Sequence, residues 1–185
     1  MRSNATKSKP RLLLLSDIWG KANADWIQYY LRKLSDDFDV HYYDVCELAG
    51  VDTTNYTAEN LHAQFVNGGI EKAVTCLIEI EKKSAIVLGF SIGGLIAWKA
   101  ALSGLSISHL FAISSTRLRY ETQKPSSVIS LFYGGLDPFS PDESWMEQMQ
   151  IQAISFEEEA HELYRKQEIA HLICAEIVLK HSIGR

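Results

Sequence analysis

The chain has 185 residues, of which 46% are hydrophobic, and a net charge of −5. That composition belongs to an ordinary globular chain, long enough to bury a sizeable core within one domain. The acidic balance disfavours nucleic acid and anionic membrane surfaces as partners, because both reward a basic face.

The polar, basic stretch 1–10 reads as a disordered tail, and a single domain is expected over 11–185. The apolar run after the tail ends at Ser16-Asp17 after four leucines. A secretory core needs about 7–15 apolar residues, so the run is read as the first core strand, 11–16. A helix follows over 24–34, where Trp26, Ile27, Tyr30, Leu31 and Leu34 share one face. A second strand is expected at 39–45. The stretch 58–83 has helical periodicity, broken or kinked at Gly68-Gly69. The third strand, 85–88, leads into a helix over 93–103. Strands at 109–113, 128–133 and 151–156 come next, with a short helix over 141–149 before the last of them. A helix over 163–181 closes the chain. Strands alternating with helices in this way predict a three-layer, doubly wound α/β domain around a parallel sheet of about six strands. No segment has the length of a membrane helix. Three cysteines (Cys46, Cys76, Cys174) at wide spacing fit reduced thiols in a cytoplasm better than disulfides or a metal site.

The third strand runs into Gly89-Phe-Ser91-Ile-Gly93. A serine hydroxyl is a weak nucleophile unless the backbone holds it where a base can reach, and a sharp strand-to-helix turn does so. Small residues flank such a turn because it leaves no room for side chains. The following helix brings free N–H groups beneath Ser91, suited to a developing oxyanion. In doubly wound sheets ligands bind beyond the carboxyl ends of the strands. Asp137, after the glycines that end strand 128–133, passes that test, although Asp137-Pro138 taken alone is a common loop opener. Among six histidines only His161 follows a strand at the correct end. His109 opens a strand, His41 lies inside one, and His62, His171 and His181 fall on predicted helices. A serine, an imidazole that takes and returns its proton, and an acid that fixes the imidazole tautomer form a nucleophilic triad. Glu157, Glu158 and Glu159 lie near His161 in sequence and stand as the alternative orienting acid.

The Gly-x-Ser-x-Gly turn, with acid and histidine following in that order, resembles the α/β-hydrolase superfamily over nearly the whole chain, as a small member lacking the first two strands of the full sheet. The resemblance implies strand order 2-1-3-4-5-6. It also implies oxyanion donors at the N–H of Ile92 and, from the loop Ser16-Asp-Ile-Trp-Gly20, at the N–H of Ile18. Many members carry His-Gly where this chain has Ser16-Asp17, and the Asp-Ile-Trp-Gly wording is closer to dienelactone-hydrolase-like members. Larger members insert a cap after the fourth strand of this numbering. Here 114–127 is too short for a helical lid, so an open, shallow site for small or accessible acyl groups is expected. Nearness in sequence nominates Trp19, Phe90, Leu136 and Phe139 for its rim, with Trp19 equally readable as a packed aromatic. The reading is of a cytoplasmic serine esterase or thioesterase acting on a small-molecule acyl substrate, with no cofactor and no metal. Two other readings stand beside it, a catalytically silent binding protein of the same fold and a flavodoxin-like binding domain. The second lacks a phosphate-cradling glycine loop after the first strand.

Overall fold

In the computed structural model, which describes residues 8–183, six parallel strands carry the architecture. They are β1 (Arg11–Leu15), β2 (Asp39–Tyr43), β3 (Ala85–Phe90), β4 (Ile107–Ile113), β5 (Val128–Gly134) and β6 (Ala153–Phe156). Their order in the sheet is β2-β1-β3-β4-β5-β6, all pairings parallel. This is the expected order. The tail expected over 1–10 lies outside the described residues apart from 8–10.

Alternation along β1 explains the two layers. Leu13 and Leu15 point into one core with Val45, Leu77, Ile96 and Trp98, while Leu12 and Leu14 point into the other with Tyr30, Phe90, Tyr164 and Ile173. Covered on both faces, β3 is buried at all six positions, which is why it reads as a continuous apolar run rather than an alternating one. One layer holds α2 (Val45–Ala49), α3 (Ala58–Gln64), α4 (Ile70–Ile80), α5 (Ile92–Leu102) and α6 (Glu143–Met149). The other holds α1 (Ile27–Leu34) against α7 (Gln167–Ile183).

One departure from the sequence reading has a local cause. The second strand stops at Tyr43 because Asp44 turns its carboxylate onto the N–H groups of Cys46 (2.7 Å) and Glu47 (3.4 Å). That caps α2, a helix the sequence reading lacked. The break expected at Gly68-Gly69 within 58–83 is a wide turn, Phe65–Gly69, in which Gly68 takes φ 110° between α3 and α4. Among the described residues no helix is long and apolar enough to cross a membrane, and the three cysteines are free thiols.

His109 supplies a testable pH dependence of stability. Its ring stacks on Phe111 at 3.9 Å and lies 2.9 Å from the Ser130 hydroxyl. Burial first, and then the charges of Lys180 and His181, lower its pKa to about 4. The folded protein therefore binds this proton less readily than the unfolded chain, and stability present above pH 6.5 is lost as pH falls towards 4. After screening, the loss at pH 4.5 is on the order of 1–2 kcal/mol, about 2–8 °C in Tm. Thermal melts of wild type and His109→Gln between pH 7 and 4.5 should show the smaller decline in the variant.

Candidate active site

Ser91 sits where β3 becomes α5, with φ 50° and ψ −115°. A non-glycine residue there costs roughly 1–3 kcal/mol of backbone strain, retained only where the surroundings impose it. They do so by close approach. A Cβ at Gly89 would lie 2.5 Å from the Gly94 backbone, and one at Gly93 would lie 2.4 Å from the Ser16 carbonyl oxygen and 2.7 Å from that of Leu15. The start of α5 is thus pressed against the end of β1, and only glycine allows it. The Ser91 N–H donates to the Ile113 carbonyl at 2.8 Å, tying the turn to β4.

Asp137 and His161 come from two loops stitched together at the ends of β5 and β6. The N–H of Gly135 donates to the Phe156 carbonyl, and that of Leu136 to the Glu159 carbonyl, each at 2.9 Å. A Cβ at Gly134 would stand 2.2 Å from the Glu159 carbonyl oxygen, so the acid's loop nests directly on the backbone leading to the histidine. The three side chains meet. Ser91 Oγ lies 3.0 Å from His161 Nε2, and His161 Nδ1 lies 2.7 Å from Asp137 Oδ2. Both contacts are satisfied when the imidazole proton is on Nδ1, donating to the carboxylate, while Nε2 accepts from the serine hydroxyl. The Asp137 carboxylate is fully buried and its Oδ1 accepts the Phe139 N–H at 3.0 Å, whereas His161 remains partly open to solvent. None of the three neighbouring glutamates meets the imidazole, and Glu159 pairs with Lys166 at 2.7 Å.

The loop after β1 is held by a buried carboxylate. Asp17 accepts from the Trp19 N–H (3.0 Å), the Tyr164 hydroxyl (3.0 Å) and Arg165 (2.7 Å). Burial raises the Asp17 carboxyl, and the hydrogen bonds from Arg165 and Tyr164 oppose that rise. Because Tyr164 and Arg165 follow His161 closely, this cluster binds the loop carrying Ile18 to the segment carrying the histidine. The Ile18 carbonyl accepts from the Cys46 thiol at 3.2 Å. The N–H groups of Ile18 and Ile92 donate no hydrogen bond among the described residues, and both residues line the cleft that holds Ser91.

That cleft has a volume of about 790 Å³, within the range of small-molecule sites. One wall is α3, through Ala58, His62 and Ala63, and another is a 3₁₀ turn after β4, Thr116–Tyr120. Between β4 and β5 the chain forms only that 3₁₀ turn, so the second wall is not a helical insertion. Among the described residues no group of three or more His, Cys, Asp or Glu side chains is placed to hold a metal ion.

Of the four rim candidates, Phe139 lines the cleft. Phe90 does not, and that expectation is corrected. It is fully buried on the far face of β3, edge-on to Trp26 (4.7 Å) and Tyr30 (4.8 Å). Trp19 packs on Tyr56 at 5.4 Å and faces a separate depression beside Asp44 and Glu47. Leu136 is exposed outside the cleft.

Comparison with solved structures gives the same architecture repeatedly. Est1E from Butyrivibrio proteoclasticus, solved with ferulic acid bound, superposes with a TM-score of 0.68 at 12% identity, over 100% of this chain and 94% of its own. The chain has the α/β-hydrolase fold. A protein described as a hydrolase of the α/β superfamily, from Xanthomonas campestris pv. campestris, matches with a TM-score of 0.68 at 16% identity, over 93% of this chain and 99% of its own. A dienelactone hydrolase-like promiscuous phosphotriesterase from metagenomic libraries gives a TM-score of 0.68 at 13% identity, over 94% and 87%. No family model matches the sequence, and no curated protein does. Within this α/β-hydrolase fold, the residues missed by sequence reasoning are the cleft walls: His62, Arg117, Arg119 and Tyr120. The alternation of arginine with apolar residues in Arg117-Leu-Arg-Tyr120 was the available signal.

Proposed function

We propose that this protein is a serine hydrolase that cleaves carboxylic esters, or thioesters, of small or accessible acyl groups through an acyl-enzyme intermediate. The observation that carries the reading is the continuous Ser91–His161–Asp137 chain of hydrogen bonds, set at a strained strand-to-helix turn. Ser91 Oγ attacks the acyl carbon while His161 Nε2 takes its proton. The oxyanion that forms is received by the N–H groups of Ile92 and Ile18, which have no other partner among the described residues. As the carbon–oxygen or carbon–sulfur bond breaks, His161 returns the proton to the departing alcohol or thiol. Water then attacks the acyl-serine with His161 again as base, releasing the carboxylic acid and restoring the Ser91 hydroxyl. Asp137 holds the tautomer and stabilises the imidazolium that forms in each half-reaction. Hydrolase and phosphotriesterase names among proteins of the same fold support the reaction class.

Rapid mixing with p-nitrophenyl acetate tests the intermediate. A burst of nitrophenol, with an acetyl group recovered on Ser91 by mass spectrometry, is the expected result. Linear release from the first turnover, with acetyl found only on surface lysines, would refute the mechanism. The oxyanion loop gives a second test. Gly93→Ala places a methyl within 2.4 Å of the Ser16 carbonyl and must displace either that loop or the start of α5. A misplacement of about 1 Å costs on the order of 10²-fold in rate. We expect kcat/KM to fall by about that factor while circular dichroism still reports the folded protein.

A further inference from the structure

The cleft holds more positive charge than its own residues balance. Four arginines of the described chain are half-buried: Arg11, Arg117, Arg119 and Arg165. Two of them meet a carboxylate, Arg11 with Glu81 at 2.8 Å and Arg165 with Asp17 at 2.7 Å. The other two line the cleft with Ser91 and His161, and neither forms an ion pair among the described residues. Glu59, the carboxylate at this wall, is exposed and pairs with neither of them.

Arg119 is fixed by polar but uncharged partners. It donates to the carbonyls of Thr116 (2.8 Å) and Phe139 (3.1 Å) and to the Tyr120 hydroxyl (2.8 Å), with its guanidinium 4.3 Å from the Tyr120 ring centre. Those bonds set its orientation and leave its charge uncompensated. Arg117 is less satisfied. Its Nη1 lies 3.4 Å from His62 Nε2, and its Nε is buried with no hydrogen-bond partner among the described residues. Burial, followed by the charges of Arg117 and Arg119, lowers the His62 pKa below its ordinary value. A neutral imidazole can accept from Arg117 but cannot balance it. A buried N–H without an acceptor is costly, and a half-buried cation without an anion more so. The Arg117 Nε is shut off from solvent, so an entering carboxylate meets the Nη donors of Arg117, whose hydrogen bonds to an anion are charge-assisted.

We propose that the substrate carries a carboxylate besides its scissile ester, and that Arg117 reads it, with Arg119 reinforcing the potential of the wall. The assignment rests on the serine-hydrolase reading for its chemistry and deepens it by naming the substrate class, an acidic ester. It also accounts for a cationic wall in a chain whose net charge is negative.

Two matched pairs of esters test it, one with the carboxylate on the leaving side and one with it on the acyl side. The first pair is 3-acetoxybenzoate and its methyl ester. The second is the mono-4-nitrophenyl ester of adipic acid and 4-nitrophenyl hexanoate. In at least one pair the anion should show kcat/KM higher by about tenfold or more at low salt, the scale of one charge-assisted hydrogen-bonded contact. The advantage should shrink at high salt. In Arg117→Ala the anion-to-neutral ratio should fall to about one, and Arg117→Lys should recover part of it. A ratio near one in both pairs for the wild type, or a ratio unmoved in Arg117→Ala, overturns the proposal. Equilibrium dialysis with Ser91→Ala separates this result from failure of the hydrolase reading. Tighter binding of the anionic probe, lost when Arg117→Ala is added, upholds the proposal even if Ser91 proves unreactive, and equal binding of the two partners in both pairs overturns it.

Discussion

Replacing Ser91 with alanine is expected to lower kcat for p-nitrophenyl acetate by on the order of 10⁵–10⁶-fold, and His161→Ala to lower it by a similar factor. The two losses should not add. Ser91 without a base is an ordinary hydroxyl, and His161 without the serine has no nucleophile to activate, so the double variant should be no worse than either single one. Steady-state kinetics of the three proteins, checked for fold by circular dichroism, measure this directly. An additive double variant would mean that the two side chains act in separate events despite lying 3.0 Å apart. Ser91→Gly offers an independent reading of the strain. With φ at 50° relieved by glycine but not by alanine, Ser91→Gly should melt above Ser91→Ala, and both should be inactive.

Asp137→Asn is expected to cost about 10⁴-fold in kcat while leaving KM and Tm little changed. The carboxylate is fully buried and accepts the Nδ1 proton at 2.7 Å. An amide in its place keeps the shape, but it can offer its NH₂ to Nδ1 and so favour the tautomer whose Nε2 bears a proton. That tautomer has no lone pair for the Ser91 hydroxyl. Retention of most activity in Asp137→Asn would mean that another group orients the imidazole, and Glu157–Glu159 would then be the first positions to test.

The parts of this site that could be read in the sequence are those where one residue type is forced by close approach. Gly89 and Gly93 are where backbone meets backbone within the reach of a Cβ, and Gly134 is where the acid's loop lies on the histidine's. Those contacts write themselves as Gly-x-Ser-x-Gly and Gly-Gly-Leu-Asp. The order of the sheet was legible because apolar strands and amphipathic helices alternate without interruption. Phe90 was misplaced because nearness in sequence is a poor guide within a strand, where successive side chains point to opposite faces. Phe90 goes to the aromatic cluster with Trp26 and Tyr30, while Ser91 leaves the strand for the turn. The cleft walls were hidden for another reason. His62 and Arg117 lie on either side of Ser91 in sequence and meet only through the fold. Nothing in the helical pattern of 58–83 says that its first turns reach the nucleophile. The short helix after β2 was missed because one side chain, Asp44, diverts the chain by capping.

Activation of Ser91 as a nucleophile is read out by its reaction with a fluorophosphonate probe. The wild-type protein should be labelled rapidly and stoichiometrically, with the adduct mapped to Ser91. Ser91→Ala should not be labelled, and His161→Ala should be labelled orders of magnitude more slowly. A folded wild type that resists the probe, or that labels equally well as Ser91→Ala, would contradict the account and leave a hydrolase fold used for binding.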